Sequence, residues 1–172
     1  LRNNSTKARE LEVTSYAEVV LAPMGADLAH PAFSKLFVQT EFVPSVNALL
    51  ATRRPRKAGE ATLWGAHGLA TDSPGALQVE TDRARFLGRG RTLANAVMVE
   101  GRPLSGTVGP VLDPIFSLRR RVRVPPGEDV VLTFTTLVAA TRDEAISLID
   151  KYRNPRAFER ELMLSWTQAQ VG

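Results

Sequence analysis

The chain of 172 residues contains no cysteine. Disulfides, thiolate nucleophiles and cysteine-ligated metals are therefore excluded, and the composition fits a reducing compartment. Histidine is nearly as scarce. His30 and His67 are the only two, too few for a histidine-rich metal site. Aromatic residues make up 6%, and Trp64 and Trp166 are the only tryptophans, which leaves little for the stacking platforms of sugar-binding modules. No apolar run approaches the ~18 residues of a membrane helix, and no signal peptide is visible. There is no serine–histidine–acid set, zinc signature, P-loop or dinucleotide fingerprint.

What is present suits one domain or one domain with a tail: 44% hydrophobic and 23% charged residues. The net charge of +4 permits an acidic partner without demanding one. The chain begins without methionine and ends inside a helical pattern, so both ends are expected to be cuts in a longer protein.

The most charged stretch is residues 80–92, ETDRARFLGRGRT, with two acids, four arginines and two glycines. A buried strand cannot hold such charge without partners, so the stretch reads as a strand end opening into a charged loop. Glu80 and Asp82 lie two apart, on one strand face, and could do acid–base work. The surrounding arginines favour ion pairs instead. Gly88-Arg89-Gly90-Arg91 could cradle a phosphate, although turn formation is the usual role of such glycines.

Alternation predicts strands over 10–22, 35–43, 48–53, 63–70 and 77–81, separated by turn signals and a basic hairpin loop at 54–62. Residues 23–34 read as a loop. Residues 93–114 read as mostly irregular, with a strand at 96–99. IFSLRRRVRV at 115–124 resembles a nucleic-acid patch, but its period puts Phe116, Leu118, Val122 and Val124 on one face. Ser117, Arg119, Arg121 and Arg123 then form a solvated face. Arg120 falls on the apolar face and is expected to reach an acid or the sheet edge. Residues 130–140 are apolar on both faces and read as a central strand. Thr141 to Glu144 has capping-box form, opening a helix to about Tyr152, and Asn154-Pro155 opens another. Phe158, Leu162, Trp166 and Ala169 make a helical stripe, with Met163, Leu164 and Val171 as a second apolar edge. Core packing is expected for Trp166 and for Trp64. Trp64 and His67, three apart on a strand, face opposite ways. Strands at this spacing indicate an antiparallel sandwich or barrel.

Five stretches carry a resemblance: residues 9–23 (RELEVTSYAEVVLAP), 30–42 (HPAFSKLFVQTEF), 80–92, 109–124 (GPVLDPIFSLRRRVRV) and 150–171 (DKYRNPRAFERELMLSWTQAQV). Together they resemble the phosphorylase-type region of cyclic β-1,2-glucan synthases, which is related to the cellobiose and chitobiose phosphorylases. The resemblance implies a mainly β fold, an antiparallel β-sandwich of the galactose-mutarotase-like (supersandwich) type, followed by linker helices. Residues 1–140 would be the later part of the sandwich, and residues 141–172 a helical linker toward an (α/α)6 barrel.

The family's catalytic aspartate lies in that barrel, and no position here corresponds to it. The implied role is thus a non-catalytic domain bordering a β-glucan phosphorylase, in a cytoplasmic setting within a parent that can be membrane-anchored. No catalytic residue, metal or cofactor is expected, with inorganic phosphate as a co-substrate of the parent alone. Arg83, Arg89, Arg91, Glu80 and Asp82 are the candidate substrate- or phosphate-binding residues. The expected partners are a β-glucan oligosaccharide, the barrel and a second copy, with neither nucleic acid nor membrane. An autonomous carbohydrate-binding module is the alternative. A small epimerase would need His67 and Glu80 to converge.

Overall fold

The computed structural model describes residues 1–55 and 59–171, with residues 155–159, 161, 170 and 171 described by backbone alone. The elements run β1 (Arg9–Thr14), β2 (Ala17–Glu18), α1 (Met24–Ala29), α2 (Pro31–Lys35), β3 (Val38–Val43), β4 (Ala48–Arg53) and β5 (Trp64–Ala70). They continue with β6 (Leu77–Asp82), α3 (Arg83–Leu87), β7 (Gly109–Pro110), β8 (Pro114–Val124), β9 (Thr133–Ala139), α4 (Arg142–Tyr152) and α5 (Pro155–Val171).

All strand pairs are antiparallel and form two sheets. One has the order β7-β3-β4-β5-β9. In the other, β8 is flanked by β1 and β2 along one edge and by β6 along the other. β8 packs across β3, β4 and β5. As the alternation predicts, Phe116, Leu118, Val122 and Val124 are buried. Phe116 and Leu118 meet Val38, Leu49, Ala51 and Leu69 between the sheets. β4 is buried on both faces, because its alternate residues Ala48 and Leu50 turn outward to Ala145 and Ile149 of α4. The mainly β fold is thus a sandwich with a helix laid over one outer face.

The α4 cap forms as its sequence implies. Thr141 Oγ1 accepts from the Glu144 amide at 3.2 Å, while the Glu144 carboxylate takes the Ala140 amide at 3.0 Å. Thr141→Ala is expected to cost about 1 kcal/mol, read as a lowered urea midpoint with unchanged slope.

Several expectations are corrected. The strand predicted over 10–22 is two pieces, broken where Ser15 turns its hydroxyl to accept the Leu118 amide at 3.0 Å. Residues 23–34 hold α1 and part of α2, with Pro31 at the first turn of α2. Residues 97–99 form a 3-10 turn that buries Met98, instead of a strand. The 130–140 strand is an edge: among the described residues β9 pairs with β5 alone, and Val138 is 59% exposed. An apolar sequence on both faces does not report lateral neighbours, which are set by distant segments.

The solvated arginine face holds for Arg121 and Arg123 but not for Ser117 or Arg119. The irregular segment after α3 folds back over the outer face of β8. There Ala96, Met98 and Leu104 join Phe86, Leu87 and Ile115 in a separate apolar cluster. Arg119, 2% exposed, is covered by it and donates to the carbonyl of Met98, to that of Arg102 at 2.6 Å and to Thr14 Oγ1 at 2.8 Å. Its own outward-facing position made it look solvated, and a segment whose contacts lie 17 and 21 residues upstream covers it. Arg120 has no acid partner among the described residues and reaches instead the turn that leads into β6. It donates to the Ser73 carbonyl at 2.5 Å, and its Nε has no partner among the described residues.

Trp166 is 67% exposed, and Leu162, Met163 and Leu164 are exposed with it, so the α5 stripe is not part of this core. The side chains of Phe158 and Val171, assigned to the same stripe, lie outside the described residues, as do residues 56–58 of the basic hairpin. Trp64 is half-buried against the α4 cluster, on the opposite face of β5 from His67, as the spacing required.

Candidate functional site

β6 leads directly into the charged segment, and a register shift between Glu80 and Asp82 separates the two carboxylates. Glu80 is fully buried. Its Oε1 accepts the Thr81 and Asp82 amides, both at 3.0 Å, and its Oε2 accepts the Ser105 hydroxyl at 2.5 Å and amide at 3.3 Å. Asp82 instead caps α3, accepting the Ala84 amide at 2.9 Å and lying 3.6 Å from Arg85 Nε. The pair expected to share one strand face is therefore split by the bulge. Asp82 gains the expected arginine partner, whereas Glu80 is held by backbone and serine.

The four arginines also part company. Arg83 Nε donates to the Tyr16 hydroxyl at 3.0 Å and to Glu18 Oε1 at 2.9 Å, and its Nη1 donates to Asp113 Oδ2 at 3.3 Å. Lys35 Nζ closes the set, 2.8 Å from Asp113 Oδ1 and 3.9 Å from Glu18 Oε2. Two cations, two carboxylates and a phenol from four chain segments thus converge at the α3 end of the sandwich. Tyr16 donates to Glu18 at 3.0 Å. Burial pushes the Tyr16 hydroxyl above its ordinary pKa and Glu18 adds to the rise, while the Arg83 hydrogen bond opposes it. The set balances its own charge, so it holds α2, α3 and the 111–113 turn against β2 without presenting a net field.

Arg91 donates to the Asn95 carbonyl at 3.2 Å and to the Glu100 carboxylate, fixing the turn that Thr92 and Asn95 cap. Gly88 and Gly90 both have positive φ, 86° and 70°, and a Cβ on Gly88 would lie 3.2 Å from Val97. The glycine pair is therefore a turn device. Arg89, between them, is exposed, with no hydrogen bond or ion pair among the described residues. Of the five candidate residues it alone has no internal hydrogen-bond or ion-pair partner among the described residues.

His67 shares no hydrogen-bond partner with Glu80 among the described residues. It is 4% exposed between the stacked rings of Phe116 and Phe134, at 5.9 and 5.8 Å. Its ring nitrogens meet Thr136 Oγ1 at 2.7 Å and Ser15 Oγ at 2.9 Å. Burial lowers its pKa to about 4. The histidine–carboxylate pair an epimerase needs is not assembled. Among the described residues no cluster of three metal-ligating side chains occurs, and no helix is long and apolar enough to cross a membrane.

Sequence reading missed Tyr16, Glu18, Lys35 and Asp113. No spacing rule joins them, and the only signal was the position of Tyr16 and Glu18 on the polar face of the 10–22 alternation.

The chain is 48% identical over 175 residues to the cyclic beta-(1,2)-glucan synthase NdvB of Rhizobium meliloti (strain 1021), an alignment covering 99% of this chain and 6% of that protein. The chain thus spans a small part of the length of the relative it matches. The family model of the glycosyl hydrolase 94 supersandwich domain matches residues 1–155, which contain both sheets and α4. The chain belongs to the glycosyl hydrolase 94 supersandwich-domain family.

Proposed function

We propose that the chain is a non-catalytic sandwich domain of a cyclic β-1,2-glucan synthase-like protein, supporting and bordering a glycoside phosphorylase barrel that acts on β-glucan. The observation that carries this reading is the internal saturation of the acid–base candidates: Glu80, Asp82 and His67 all bond to their own fold. Residues 1–140 form the sandwich in this reading and residues 141–172 the linker. Within the linker, α4 is anchored through Ala145 and Ile149, and α5 carries its exposed apolar side chains toward the barrel. A cytoplasmic setting, with phosphate as the parent's co-substrate, goes with the same reading.

The test is an assay of the 172-residue chain with linear β-1,2-gluco-oligosaccharides and phosphate. No sugar phosphate is expected from it, and the same assay on a protein that also contains the following region is expected to show turnover. Phosphorolysis by the chain alone would overturn the proposal.

The sandwich also leaves edges uncovered. Among the described residues β1 and β9 each pair on one side only, and their inward residues Leu11 and Val138 are 41% and 59% exposed. Unpaired edges template further pairing. Self-association of the chain is the expected result in sedimentation velocity, and a single monomeric species across about a hundredfold range of concentration would contradict it.

A further inference from the structure

A recess of about 410 Å³ opens where the turn after β2 faces Arg53 at the end of β4 and residues 60–63 ahead of β5. Its volume lies within the ~300–1,000 Å³ of small-molecule sites. Leu21, Ala22 and Pro23 form one wall, Ala61 and Leu63 the other, and the Arg53–Glu60 pair completes the lining. The Arg53 side chain is 6% exposed. Its Nε donates to the Ser34 carbonyl at 3.3 Å, and its Nη1 lies 2.7 Å from Glu60 Oε1. Leu21 holds a left-handed backbone, φ 50°, which side-chain-bearing residues rarely adopt and which collects at ligand-holding positions.

The pair decides the ligand's chemistry. A free anion is repelled by Glu60 and a free cation by Arg53. A neutral molecule with two adjacent hydroxyls satisfies both, accepting from the guanidinium and donating to the carboxylate. The aliphatic walls suit the C–H face of a ring. We infer that this recess binds a neutral pyranose, a hexose or the terminal sugar of an oligosaccharide, through a vicinal hydroxyl pair held by Arg53 and Glu60. The choice of sugar rests on the carbohydrate reading above, but the site is separate from the charged 80–92 segment.

The test is an amide chemical-shift titration of the 172-residue chain with methyl β-glucoside and with a linear β-1,2-gluco-oligosaccharide, each to about 50 mM. Saturable shifts are expected at residues 21, 22, 53 and 60–63. Ala61 is exposed, so Ala61→Phe fills the recess without entering the core and should weaken binding about tenfold or more. Glu60→Gln should weaken it severalfold, and Arg89→Ala should leave it unchanged. The inference is overturned if these amides do not move, or move equally in Ala61→Phe. Shifts confined to residues 83–92 would also overturn it while leaving the proposed function standing. Phosphorolysis by the chain alone would remove the proposed function without touching the recess.

Discussion

Lowering the pH from 7 to 4 is expected to remove about 3 kcal/mol of folding stability through His67 alone. The ring is packed between Phe116 and Phe134, and the partners facing its nitrogens are the hydroxyls of Thr136 and Ser15. Hydroxyls can serve either tautomer, and no carboxylate is bonded to the ring to favour the imidazolium. Burial is thus what lowers the pKa from 6.5 to about 4. Between those values the unfolded chain binds a proton that the folded chain refuses. Stability is fully present above pH 6.5, falls as the pH drops toward 4, and levels off below it as far as this residue is concerned. Carboxylates titrate in the lower part of the window, so the informative quantity is a difference. Urea unfolding at pH 7, 5.5 and 4 should show His67→Gln losing about 3 kcal/mol less than the wild type over that span. Parallel losses in the two proteins would show that His67 is not the source.

His67 also marks where sequence reading succeeds and where it stops. Its placement opposite Trp64 follows from the two-residue period of a strand, which is local geometry. The limits of β4 and the buried face of β8 were legible for the same reason. Alternation and turn residues act over a few positions. The capped start of α4 was legible because Thr141 and Glu144 meet within one turn.

What failed was everything decided by lateral neighbours. Residues 130–140 look central because they are apolar on both faces, yet β9 lies at an edge with α4 against one face. Arg119 looks solvated because it alternates with Phe116 and Leu118, yet the segment through Met98 and Arg102 covers it. The Arg83 cluster draws on residues 16, 18, 35 and 113, and no short pattern connects them. The charged segment itself was found by composition, but which of its charges were already engaged was not visible there.

Glu80→Ala is expected to be among the most damaging single substitutions in the chain, costing about 3–5 kcal/mol. The carboxylate is fully buried and accepts from four donors: the amides of Thr81, Asp82 and Ser105 and the Ser105 hydroxyl. Truncation strands the Asp82 amide beside β6 and takes the acceptor from the Ser105 amide and hydroxyl, while the Thr81 amide keeps the Thr107 carbonyl at 3.2 Å and the Ser105 hydroxyl keeps Thr107 Oγ1 at 2.7 Å. Glu80→Gln keeps one acceptor but turns an amide NH2 toward donors, so about 1–3 kcal/mol is expected for it.

This ordering separates a structural role from a catalytic one. A catalytic carboxylate changed to its amide loses activity while the fold stands, whereas here both substitutions should lower the unfolding midpoint, alanine more than glutamine. Amide exchange should speed up at Ser105 and Gly106, because the Gly106 amide bonds the Val79 carbonyl along the same edge of β6. A midpoint for Glu80→Ala within about 0.5 kcal/mol of the wild type would refute this role. With Glu80 bracing the bulge, Asp82 capping α3, Arg83 closing the five-residue cluster and Arg91 fixing its turn, four of the five candidate residues shape the segment that presents the fifth. A variant of Arg89 is therefore the clean probe of ligand contact here, since it is the one candidate whose removal leaves every internal bond of the segment in place.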